Sequence, residues 1–303
     1  MSKSAISHRS LSIMALLIVA FGYSLLNVAV RLLGDGFSPL TQVYLRVALA
    51  FVVSLVLFAR QLRWSVIKTT PGRDWLGLGV MGIIGYGLMV YFITIAVLNA
   101  KIANVTVIFA TLAFFIYLYS VLFLKKKIVW TQAALLMLSV YGVMVIGTRS
   151  LVPTVSGFGY GELMALLAAA AGATYAVGRK FLSAHLNNSE VSVLVMGIAA
   201  ATAFVLATLN GEVVDVTQFS KLGILMGLAI GAGFNIIATF FENYAFKHLD
   251  PVLGGQILLT ENFFGPLVGF LMYQEVMGSY EVVGALLIVI SVFVAQRWES
   301  QRE

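Results

Sequence analysis

Apolar residues in this chain come in runs about twenty long, and ten such runs follow one another with little between them. A helix rises about 1.5 Å per residue, so roughly 20 apolar residues cross the ~30 Å hydrocarbon core of a bilayer. The runs cover 11–33, 38–59, 75–98, 102–124, 129–148, 160–182, 190–209, 221–246, 252–273 and 279–296. In hydrocarbon every backbone N–H and C=O needs a partner within the protein, which leaves helices or closed barrels. A barrel needs short alternating strands with a polar lumen, and that pattern is absent. With 60% hydrophobic and 11% charged residues, the chain also has too little polar surface for a soluble protein of 303 residues. The sequence predicts an all-α polytopic membrane protein of ten transmembrane helices.

The longest loops lie near 60–74, 149–159 and 210–220, and none could hold a soluble domain. The first run is too long for a cleaved signal peptide and leads into no polar mature region. There is no cysteine, so disulfides and thiolate chemistry are excluded. His8, His185 and His248 sit at or beyond helix ends, and no H-E-x-x-H or Asp-rich motif occurs. No metal, no cofactor and no enzymatic activity is therefore expected. The Gly77–Gly82 G-x-G-x-x-G opens a membrane span with no strand before it, so it reads as helix packing. Gly223, Gly227 and Gly231 read as a small-residue packing ridge.

The net charge of +6 sets topology and gives no reason to expect nucleic acid. With the N-terminus in the cytosol, fourteen Lys and Arg fall on the inner side. Four (Arg31, Lys101, Arg149, Lys221) fall outside, and Arg46 stays within the membrane. That is the positive-inside pattern. Trp64, Trp75, Trp130 and Trp298 all fall at inner interfaces, a depth indoles prefer. Both termini are thus expected in the cytosol. Lys125, Lys126 and Lys127 form a topology anchor in contact with anionic membrane lipid.

The halves resemble each other at a spacing near 150. Met14–Leu17 recurs as Met164–Leu167, Gly22 matches Gly172 and Ala50 matches Ala200. At 149, Gly82 matches Gly231, Phe92 matches Phe241, Ala96 matches Ala245 and Thr111 matches Thr260. Residues 1–150 and 151–303 read as two five-helix repeats. Five is odd, so the second repeat starts on the opposite face and is inverted, as suits alternating access.

The segment Gly36-Phe37-Ser38-Pro39-Leu40-Thr41-Gln42-Val43-Tyr44-Leu45-Arg46 resembles the G-F-S-P-x-x-x-x-x-x-R entry to helix 2 of the drug/metabolite transporter superfamily, EamA-type branch. Glu261 is similar to the Glu of that family's E-P pair, Glu275 to its loop Glu, and Gly284 to its Gly. Asn262 stands where the family usually has Pro, Lys126 where the first-half loop has Glu, Phe21 where helix 1 has Trp, and Glu281 at a usual Gln. The resemblance covers nearly the whole chain. It implies a secondary active transporter in the plasma (inner) membrane of a prokaryote, exporting amino acids or related small metabolites. A transporter or flippase for lipid or drug-like amphiphiles is the alternative. Monomer and homodimer both stay open.

Arg46 lies eight residues into helix 2, roughly 12 Å deep. A charge there must face the cavity, pair internally or snorkel. It reads as a clamp for a substrate carboxylate or as a fold-stabilising contact. Glu261, roughly 14 Å deep from the inner side, reads as a site for a substrate amine or an exchangeable proton. By depth the two could meet, either as a site or as a static lock. Pro266 frees the carbonyl of Asn262 beside Glu261, and broken helices of this kind build transporter sites. Asn27 and Asn235 are mid-span amides, and Tyr86 and Tyr91 are phenols wanting polar partners. Glu242, near the inner end of helix 8, reads as a gate or a snorkelling carboxylate. Proton coupling is expected to rest on Glu261.

Overall fold

The computed structural model describes residues 8–127, 129–152, 159–264 and 278–300. The first half contains α1 (His8–Gly34), α2 (Pro39–Leu57) and a short α3 (Trp64–Lys68). A third long helix follows, made of α4 (Gly72–Val80), a π-helical stretch (Met81–Leu88) and α5 (Met89–Asn99). It ends with α6 (Ile102–Phe109), α7 (Leu112–Phe123) and α8 (Trp130–Thr148). The second half contains α9 (Tyr160–Gly178), α10 (Asn188–Leu209), α11 (Leu222–His248), α12 (Pro251–Leu258) and α13 (Ser279–Ser300). No strand occurs among the described residues. Nine of their helices are long and apolar enough to cross a membrane. The tenth expected span begins with α12 and is helical again over 261–264. The rest of it, Pro266 and Glu275 included, lies outside the described residues.

One numerical shift relates the halves. α2 starts at 39 and α10 at 188, α6 at 102 and α12 at 251, α8 at 130 and α13 at 279. Each difference is 149. The helices pair mostly across halves: α1 on α11, α4–α5 on α9, α2 on α10 and α8 on α13. The expected glycine ridge is part of this packing. A Cβ on Gly227 would lie 3.2 Å from the Ala29 carbonyl oxygen of α1.

Polar contacts at the two ends of the α2–α10 pair fix its direction. Ser38 caps α2, and Pro39 occupies the first helical position, where a missing N–H costs nothing. Glu212, just beyond α10, accepts from the Thr41 backbone N–H at 3.1 Å and its hydroxyl at 2.8 Å. At the opposite end, Glu190 in the first turn of α10 accepts from the Arg63 backbone N–H at 2.9 Å, Nε at 3.0 Å and Nη2 at 2.8 Å. The shift of 149 carries Thr41 to Glu190 and Arg63 to Glu212. The same contact is therefore made twice, at opposite faces, and equivalent helices run antiparallel. The repeat is inverted.

Glu190 is fully buried and also closes a capping box with Asn187. Removing it strands two backbone donors, those of Arg63 and Asn187, and breaks a bidentate ion pair whose arginine is half exposed. Glu190→Ala is expected to lower stability by about 2 kcal/mol, and Glu212→Ala by about 1 kcal/mol. Thermal unfolding in detergent measures both, and equal shifts would contradict the ranking.

Two helices break at equivalent places. The fourth span is interrupted at Ala110–Thr111, the ninth at Leu259–Thr260. Backbone bonds tighten there to three-residue steps, such as Thr111 N–H to Ile108 O and Thr260 N–H to Ile257 O. The threonine hydroxyls donate to those same carbonyls, at 2.6 Å and 2.7 Å. A side-chain donor thus competes for the carbonyl of an ordinary helical turn. The sequence led us to expect the ninth-helix break from Pro266. The described break comes earlier, and it recurs in the first half without a proline.

Candidate substrate site

A cavity lies between helices of both halves. Its polar walls are Tyr23, Tyr86, Thr106, Asn235 and Glu261. The remaining walls are apolar, among them Leu26, Met89, Val90, Phe109 and Phe234. Two smaller cavities adjoin the same phenol. One is lined by Tyr23, Gly172, Tyr175 and Glu242 among others, the second by Tyr23, Phe109, Leu258, Leu259 and Glu261. Tyr23 therefore stands where three spaces meet.

The π-helical stretch positions Tyr86. A π-turn inserts a residue into the helical ladder, and such turns recur at functional sites. Gly85 in this stretch approaches α9 so closely that a Cβ would lie 2.7 Å from the Tyr175 backbone nitrogen. Tyr86 then packs on Tyr175 with ring centroids 5.8 Å apart. Its hydroxyl donates to Asn235 Oδ1 at 2.8 Å. Residues 86 and 235 are 149 apart, so this bond joins equivalent positions and lies on the pseudo-two-fold axis.

The acidic groups break the symmetry. Tyr23 donates to Glu242 Oε1 at 2.9 Å. The equivalents of Glu242 and Glu261 are Ile93 and Leu112, and that of Tyr23, at the spacing of 150 that relates the first helix of each half, is Ala173. Glu242 and Glu261, the carboxylates beside these cavities, both come from the second half.

The expected site residues divide accordingly. Glu261, Tyr86 and Asn235 line the main cavity. Glu242 does not snorkel: it is buried, with a phenol as donor, and walls the adjoining space. Asn262 is turned to the helix break, donating to the Leu259 carbonyl at 3.1 Å, and is not among the cavity walls. Tyr91 is half-buried against Phe92, also away from those walls. Asn27 lies on α1, and its side chain is outside the described set.

Arg46 is fully buried and bonds the Thr94 hydroxyl at 2.6 Å. It makes no ion pair among the described residues, and its Nε and Nη1 find no hydrogen-bond partner there. The expected meeting with Glu261 does not occur. Depth along the membrane normal says nothing about lateral position, and Arg46 is packed between α5 and Gly231 of α11. A buried cation with so few partners is destabilising. Arg46→Met is expected to raise stability by about 1–3 kcal/mol. A lower melting temperature would show that the guanidinium holds the fold.

Tyr23 and Thr106 were not foreseen from the sequence. The repeat gives little signal for Tyr23, since the spacing of 150 that relates the first helix of each half sets it opposite Ala173.

The EamA-like transporter family model matches this sequence twice, over residues 10–148 and 159–296. The pseudopaline exporter CntI of Pseudomonas aeruginosa is 25% identical over 281 residues, covering 92% of this chain and 94% of that protein. The uncharacterized transporter YcxC of Bacillus subtilis is 22% identical over 192 residues, 61% of this chain and 62% of that protein. A solved crystal structure with 21% identity superposes with a TM-score of 0.73 over 96% of this chain and 99% of its own.

Proposed function

This chain belongs to the EamA-like transporter family of multi-pass membrane proteins, and from that premise we propose that it is a secondary active exporter of amino acids or related small metabolites. It works by alternating access in the plasma (inner) membrane of a prokaryote, with both termini in the cytosol. Residues 1–150 and 151–303 are its two inverted repeats. The observation that carries the reading is a cavity between the repeats that holds a half-buried carboxylate, Glu261, beside a broken helix. Glu261 supplies the exchangeable proton, and Tyr86 and Asn235 orient the substrate. A relative named as an exporter supports the direction. The mainly apolar walls favour amphiphilic, drug-like molecules as the second reading.

Purified protein in sealed vesicles tests this. Under an imposed pH gradient, at least one member of a radiolabelled panel of amino acids and related metabolites is expected to accumulate well above the level in protein-free vesicles. Accumulation that ignores the gradient would sink secondary coupling. Fluorescent-lipid scrambling in place of solute uptake would favour the amphiphile reading.

A further inference from the structure

The charges around the cavity narrow the class of molecule it accepts. Among the described residues, no Lys, Arg or His is named in its walls, while one wall residue is a carboxylate, Glu261. A second carboxylate, Glu242, lies one phenol away, on the hydroxyl of Tyr23. The nearby membrane cation, Arg46, bonds Thr94 through Nη2 and is absent from the walls. A ligand carboxylate entering here would lose its water and meet no opposite charge, at a steep desolvation cost. A ligand ammonium would meet Glu261. It would also meet π faces, since Tyr23 and Phe234 form a corner with centroids 4.8 Å apart, and Tyr86 and Phe109 add two more rings. Asn235 reinforces the polar end. Its Oδ1 accepts from Tyr86, and its buried Nδ2 has no partner, leaving two neutral N–H donors for a hydroxyl or carbonyl.

We infer that the cavity selects a compact monocation, an aromatic or alkyl amine without an anionic group of its own, with Glu261 as its counter-ion. This rests on the transporter reading and narrows it. Zwitterionic amino acids become poor ligands, and amines or amine-bearing metabolites with a masked carboxyl become good ones.

Three probes of one shape decide the matter at neutral pH: tyramine, tyrosine and 3-(4-hydroxyphenyl)propionate. They present a cation, a zwitterion and an anion on the same ring. Thermal shift of the full-length protein in detergent gives apparent affinities. Tyramine is expected to stabilise the protein, and the other two to do so more than about tenfold less well. Glu261→Gln is expected to weaken tyramine binding more than about tenfold, while Glu261→Asp retains it. The melting temperature of each variant without ligand shows that the fold persists.

Tyrosine binding as well as tyramine would overturn the inference. So would tyramine binding unchanged in Glu261→Gln, or no response to tyramine at all. Uptake into vesicles separates the two levels of the argument. Tyramine binding without uptake would leave the ligand class standing and sink transport. Uptake of tyrosine without tyramine binding would do the reverse.

Discussion

Replacing Glu261 with glutamine is expected to reduce proton-driven accumulation of substrate to the level of protein-free vesicles. The substitution keeps shape and hydrogen-bonding capacity and removes the one carboxylate in the main cavity wall. A transporter concentrates solute only if the driving ion and the solute bias the same conformational equilibrium. Without a group that gains and loses a proton at the cavity, the pH gradient has nothing to act on there. Folding should survive, since burying a neutral amide costs less than burying a charge. Glu242→Gln is the matched comparison. Its amide oxygen can still accept from Tyr23, so packing is kept while the neighbouring charge is lost. If Glu261→Gln concentrates substrate with unchanged pH dependence, the coupling role assigned to Glu261 is wrong.

Gly85→Val is expected to be the most damaging packing change in the third long helix, at about 3 kcal/mol or more. Even a methyl group at this position would lie 2.7 Å from the Tyr175 nitrogen and 2.8 Å from its Cα. Those atoms are backbone and cannot rotate away. Relief requires the π-helical stretch and α9 to separate, which also pulls Tyr86 off Tyr175 and strains its bond to Asn235. Loss of stability should therefore come with loss of ligand response. Thermal unfolding and the tyramine shift measured on one sample check both. A variant of normal stability would mean that the helices yield more easily than backbone contact allows.

Much of this architecture is legible in the sequence because its causes are local. Twenty-residue apolar runs define the spans, and Ser38-Pro39 marks where α2 begins. The shift of 149 is legible too, as Thr111 and Thr260 show. Its consequence for Tyr86 and Asn235 is harder to see, because neither residue is matched to an identical one. The helix breaks stay hidden because they arise from threonine hydroxyls, which are ordinary helix residues by type. Pro266 draws attention instead. The π-helical stretch leaves no sequence mark beyond its glycines. Arg46 and Glu261 show the limit of depth arithmetic: two groups can lie at comparable depth and still face different neighbours. Glu242 was hard to place because a carboxylate near a span end usually reaches water, and only the tertiary fold supplies Tyr23 as a buried donor.

The bond between Tyr86 and Asn235 has a consequence for energetics. A perfect inverted repeat would give inward-open and outward-open forms of equal free energy, because exchanging the halves would convert one into the other. The Tyr86–Asn235 bond lies at the axis, but its partners are unlike, so the exchange puts an amide where the phenol stood and the bond itself breaks the symmetry. Any resting preference must come from residues without a twin. Those include Tyr86 against Asn235, Tyr23 against Ala173, Glu242 against Ile93, Glu261 against Leu112, and the ion pair of Arg63 and Glu190 against the hydrogen bonds of Thr41 and Glu212. In the proposed exporter the frame has no preferred direction, and unmatched side chains such as these are what would set which way the empty protein faces while it waits.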